Sequence, residues 1–74
     1  MEYARRPQIG DTYNVYYGVG KKCNVKLKDF GERYEYCHFD ILDGEHEGKI
    51  MCRGYFEVVD WLDEGCLVSE SKGE

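Results

Sequence analysis

Four cysteines and two histidines are the side chains of this sequence best equipped for covalent or metal chemistry. Cys23, Cys37, Cys52 and Cys66 follow one another at intervals of 14, 15 and 14 residues. A structural zinc site favours close pairs such as C-x-x-C, because one tight turn then presents two thiolates to one ion. No such pair exists here. His38 directly follows Cys37, but neighbours on a strand point to opposite faces and do not readily share a metal. A disulfide framework needs an oxidising compartment. The even cysteine count suits one, but the opening Met1-Glu2-Tyr3-Ala4-Arg5-Arg6-Pro7 lacks the apolar segment of a signal peptide. The third reading makes the thiols small buried apolar groups, and we adopt it. On that reading the interval is the length of chain that returns one strand over.

Catalysis finds little to work with. His46 sits between Glu45 and Glu47 in a turn-like stretch, with no organised partner for acid–base work. His38 shares an alternating row with Tyr34, Tyr36 and Asp40, where packing is the simpler role. No nucleophile–base pair, phosphate-binding loop or metal motif is legible. The expectation is a protein that is not an enzyme and carries no cofactor and no metal.

The charges offer binding chemistry instead. The formal net charge is −5. Residues 1–28 hold six basic side chains against two acidic, while residues 29–74 hold four against thirteen. Such asymmetry points to electrostatic contact surfaces, though two solvated faces would look the same. One candidate surface is acidic: Asp43, Glu45 and Glu47 crowd one loop, and Glu57, Asp60, Asp63 and Glu64 crowd a later stretch. With Tyr34 and Tyr36 they form a candidate protein-binding set. The other is basic and aromatic: Lys21, Lys22, Lys26 and Lys28 with Tyr16, Tyr34 and Tyr36. Cations that track phosphate and rings that stack on bases are what single-stranded nucleic acid requires. The acidic total weakens long-range steering toward nucleic acid.

Strands must position these groups. Alternation with period two runs through most of the chain. It predicts strands over residues 11–18, 22–30, 33–42 and 49–53, then 55–61, and a short one over 66–68. Tyr13, Val15 and Tyr17 share a face; so do Cys23, Val25 and Leu27; so do Cys37, Phe39 and Ile41. In the fourth strand Ile50 and Cys52 share a face, with Cys52 read as buried. The faces of 55–61 are ambiguous, which we read as a twisting strand at a barrel seam. No window gives a convincing helix; 58–64 is short and β-branched. A meander of five or six strands must close or hide its edges. The expected architecture is therefore all-β, a single small antiparallel barrel over residues 1–68, SH3-like rather than OB. Residues 69–74 form a frayed tail. No apolar run approaches a membrane span, and the reading is of a cytoplasmic protein.

One local resemblance adds to this. Phe39-Asp40-Ile41-Leu42-Asp43-Gly44-Glu45-His46-Glu47-Gly48-Lys49-Ile50 resembles a hairpin of small barrels, both KOW-type SH3-like domains and phage-type single-stranded DNA-binding OB proteins. It covers about one sixth of the chain and implies a β-barrel hairpin. The short acidic chain with its own Met is also similar in style to phage and mobile-element accessory proteins. Together these lead to two expectations: a protein-interaction module that modulates a host enzyme through its acidic surface, or a single-stranded nucleic-acid-binding barrel. A homodimer through an unpaired edge is compatible with either.

Overall fold

A computed structural model describes residues 6–70, the side chain of Tyr34 excepted. Alternation does build the sheet. Strand β1 (Thr12–Tyr16), β2 (Lys22–Phe30), β3 (Tyr36–Ile41) and β4 (Ile50–Gly54) form an antiparallel meander. The last strand, β5 (Leu67–Ser69), returns to pair antiparallel with β1. The order across the sheet is β4-β3-β2-β1-β5, with β4 and β5 as edges that do not pair with each other. The fold is thus mostly β, five antiparallel strands in one sheet that does not close into a barrel, with one short helix.

One face of the sheet is dry. Tyr13, Val15, Cys23, Val25, Leu27, Cys37, Phe39, Ile41 and Met51 are buried there. These are the apolar rows expected from the first three strands. Strand β4 departs from expectation: Met51 turns inward, while Ile50 and Cys52 share the outer face and are exposed. The register explains it. Met51 stands opposite Phe39, which already faces the core, so Ile50 and Cys52 must face away.

A larger departure lies in residues 55–61. They form not a strand but the first part of helix α1 (Tyr55–Asp63). Tyr55, Val58, Trp61 and Leu62, at i, i+3, i+6 and i+7, share the helical face that packs on the core. The alternation that looked ambiguous was this helical period. Gly65, with φ of +80°, ends the helix. Its N–H bonds the Leu62 carbonyl at 3.2 Å, and the Cys66 N–H reaches back to Trp61 at 2.9 Å. That is a Schellman closure, for which glycine pays no steric penalty.

The helix also solves a distance problem. Crossing from β4 to β5 spans four strand spacings, about 19 Å in a flat sheet. Nine helical residues cover about 13 Å, and the turn after them supplies the rest. Along the way Val58 and Trp61 are buried against the sheet. Trp61 meets Tyr13 and Phe39 with ring centroids 5.5 and 5.4 Å away, and those two rings meet edge-on at 5.9 Å. This aromatic triangle is the centre of the core.

Two smaller corrections remain. Arg33 and Tyr34, expected to begin the third strand, belong instead to a 3-10 turn (Glu32–Tyr34), with Arg33 at φ of +60°. The Gly31 N–H closes it onto the Tyr36 carbonyl at 2.6 Å. Ser69, expected in the C-terminal tail, belongs to β5; residues 71–74 of that stretch lie outside the described residues. The four cysteines are free thiols: Cys23 and Cys37 are buried, Cys66 half-buried and Cys52 exposed. The expectation of a buried Cys52 is therefore overturned.

Candidate functional site

The acidic side chains fall into two groups. Asp43, Glu45 and Glu47 lie on the β3–β4 loop and are exposed. Asp43 is held: its carboxylate accepts the Asn24 backbone N–H at 3.0 Å and the Asn24 Nδ2 at 2.8 Å. Asn24 in turn accepts Asn14 Nδ2 at 3.0 Å, so a polar chain ties this loop to β1 and β2. Glu57, Asp60, Asp63 and Glu64 are exposed along α1 and its C-terminal cap. The two groups are linked through side chains. The His46 ring touches Tyr17 at 4.7 Å, the Arg53 guanidinium lies 5.9 Å over Tyr17, and Arg53 Nε approaches Glu57 at 3.8 Å.

The helical group opposes its own backbone. Unpaired carbonyls give the C-terminal end of a helix partial negative charge. Asp60, Asp63 and Glu64 cluster at that end, and the last turn holds no basic residue. Among the described residues, Glu57 alone of the four has a cation at its side. Phe56, in the first turn of α1, is 81% exposed, and it shares a groove with Tyr36, Tyr55 and Arg33. Tyr36 is exposed there too, while the side chain of Tyr34 lies outside the described structure.

The lysines are not gathered into one basic strip. Lys21 and Lys22 border a depression of about 530 Å³ whose other walls include Asp43, Glu45 and His46. The Lys22 ammonium sits 5.5 Å over the Tyr16 ring. Lys26 stands between Thr12 and Asp40 on the outer face. Lys28 occupies the irregularity between Leu27 and Asp29, where the register shifts. Carboxylates thus interrupt the lysines along the sheet.

An arrangement the sequence did not reveal crosses the same outer face. Asp29 on β2 is the register partner of His38 on β3, and His38 is the partner of Cys52 on β4. His38 Nδ1 is 2.6 Å from Asp29 Oδ1. The signal was obscured by the β2 irregularity, which brings Asp29 beside His38, and by the inward reading of Cys52. The buried thiols behave differently: burial pushes Cys37 up from 9.0 to about 11, with Cys52 and Asp29 adding repulsion. Burial, then Asp43, also raises Cys23, against a lowering by Arg53.

Among the described residues no group of three His, Cys, Asp or Glu side chains is arranged to hold a metal ion, and no helix is long and apolar enough to cross a membrane. No family model, curated protein or solved structure matches this chain.

Proposed function

We propose that this protein is a non-catalytic interaction module that docks its acidic helix on a basic surface of a partner protein, a host enzyme whose activity it modulates. The observation that carries this reading is the placement of Asp60, Asp63 and Glu64 at the negative end of α1, whose last turn holds no basic residue. Like charge at a helix terminus is destabilising, so the arrangement costs the fold a little and suits a surface that meets cations. The exposed Phe56 offers the apolar anchor that such contacts need at their centre. The loop carboxylates Glu45 and Glu47 extend the surface. For the scaffold, a meander whose fifth strand returns to the first supports reading the sheet as an opened SH3-like barrel.

The test is capture from host lysate by the wild type and by a variant carrying Glu57→Gln, Asp60→Asn, Asp63→Asn and Glu64→Gln, with nuclease present. A protein captured at moderate salt by the wild type, and reduced at least about tenfold in the variant, supports the module. Equal capture by both sinks it. Recovery of nucleic acid that nuclease removes would move the site to the lysines.

A further inference from the structure

The row Asp29–His38–Cys52 has the order of an orienting acid, a base and a nucleophile. Asp29 and His38 are in contact at 2.6 Å. A carboxylate accepts, so Nδ1 donates the shared proton, and in the neutral ring Nε2 carries the lone pair. Gly31 packs beside the ring, where an added Cβ would stand 3.6 Å from His38 Cε1, so the imidazole is confined on that side.

The third member is placed by the ladder. The Ile41 N–H bonds the Lys49 carbonyl at 3.0 Å. Counting along the register, Phe39 with Met51 and Cys37 with Arg53 are then the hydrogen-bonded pairs. His38 and Cys52 are a non-hydrogen-bonded pair, the kind whose Cα atoms come to about 4.5 Å with side chains closest. The Arg53 Nη1 donor also fixes the Cys52 carbonyl at 2.8 Å, on the open edge of the sheet. Cys52 is exposed, and the side chains of His38 and Asp29 are 38% and 50% exposed, so a reagent can reach all three. In the resting structure Cys52 and His38 are cross-strand partners whose side chains are not hydrogen-bonded to each other, as nucleophile–base pairs often are before a ligand arrives.

The geometry points to Cys52 as a thiol–disulfide exchange site, activated by His38, with Asp29 as a positioning residue, and small disulfides as its reaction partners. His38 Nε2 takes the Cys52 thiol proton. The thiolate sulfur attacks one sulfur of a disulfide RS–SR; that S–S bond breaks and a Cys52–S–SR bond forms. The departing RS⁻ takes the proton as RSH, so no outside oxidant is needed. Cys23 and Cys37 do not compete, because burial disfavours their thiolates. The mixed disulfide would stand on the outer face of β4, one residue before Arg53, which meets the acidic helix at Glu57.

The experiment is timed reaction of the full chain with oxidised glutathione, quenched with acid and read by peptide mass spectrometry. Half-buried Cys66 serves as the reference within the same molecule. The expected result is that Cys52 forms the mixed disulfide at least about tenfold faster than Cys66. His38→Gln lowers the Cys52 rate about tenfold and leaves Cys66 unchanged. Asp29→Asn lowers it by a smaller factor, and Asp29→Glu restores it. A Cys52 rate unaffected by His38→Gln overturns the proposal, since exposure alone would then explain the reactivity. Should His38→Gln loosen the fold, seen as labelling of buried Cys37, the near-isosteric Asp29→Asn variant decides: an unchanged Cys52 rate there overturns it equally.

Discussion

Asp11 is fully buried, and its carboxylate accepts the Gln8 N–H at 3.0 Å and the Tyr13 hydroxyl at 3.3 Å. Its backbone carbonyl takes the Leu27 N–H at 2.8 Å, tying the segment before β1 to β2. Removing the carboxylate takes away the acceptor of both bonds, a loss of about 1–3 kcal/mol. Asp11→Ala should therefore lower the urea midpoint clearly, while Tyr13→Phe, which removes only the weaker of those bonds, should lower it less. Cys37 gives a prediction with a pH sign. Its folded-state value, raised to about 11 mainly by burial, lies above the ordinary 9.0. Between those values the folded chain keeps a proton that the unfolded chain loses, so stability is intact below pH 9 and falls as pH rises through 11. The loss is roughly 3 kcal/mol at most. Cys37→Ala, though less stable at neutral pH, should show a flatter decline in denaturant midpoint from pH 9 to 11.

At the scale of elements, α1 holds opposing demands. Its apolar face is fixed by Val58 and Trp61 in the core. Trp61→Ala opens a cavity beneath two aromatic rings and should cost about 3–5 kcal/mol. A domain this small has only about 4–11 kcal/mol to lose, so near-ultraviolet circular dichroism should show tertiary packing weakened or gone. Trp61→Phe should retain it. The acidic face behaves in the reverse sense. Neutralising Asp60, Asp63 and Glu64 relieves repulsion with the helix terminus, at the low end of about 0.3–1 kcal/mol because the groups are exposed and screened. The thermal midpoint should hold or rise while partner capture falls. A fall in both would mean the carboxylates serve the fold rather than a partner.

Across the whole molecule, charge is mixed by the tertiary structure more than the chain order suggests. The basic first third and the acidic remainder meet around the depression shared by Lys21, Lys22, Asp43 and Glu45. Salt should therefore act on two scales. Exposed pairs of opposite sign screen one another locally, so folding stability should change little between low and moderate salt. Docking of the acidic helix on a basic partner should weaken over the same range, mainly through a slower association rate. Titrating salt in a melting experiment and in a binding experiment separates the two.

The sequence by itself determined the meander. The alternation read over residues 11–18, 22–30 and 33–42 matched the buried faces of the shorter β1, of β2 and of the shorter β3, because a strand with one dry face admits only one alternation. Helix α1 was written there too, in the i, i+3, i+6, i+7 spacing of Tyr55, Val58, Trp61 and Leu62 and in Gly65 at its end. Aromatic and β-branched residues masked it, since their local preference is for strands and only burial against the sheet overrides that. The acidic candidates were legible as composition; the opposition of Asp60, Asp63 and Glu64 to a helix terminus was not, because it requires the helix. What tertiary structure alone decided was juxtaposition across strands. A register shift at Lys28 brings Asp29 to His38, and the inward turn of Met51 sends Cys52 outward beside it. No local pattern encodes such pairings, since they depend on which strands meet and in what register.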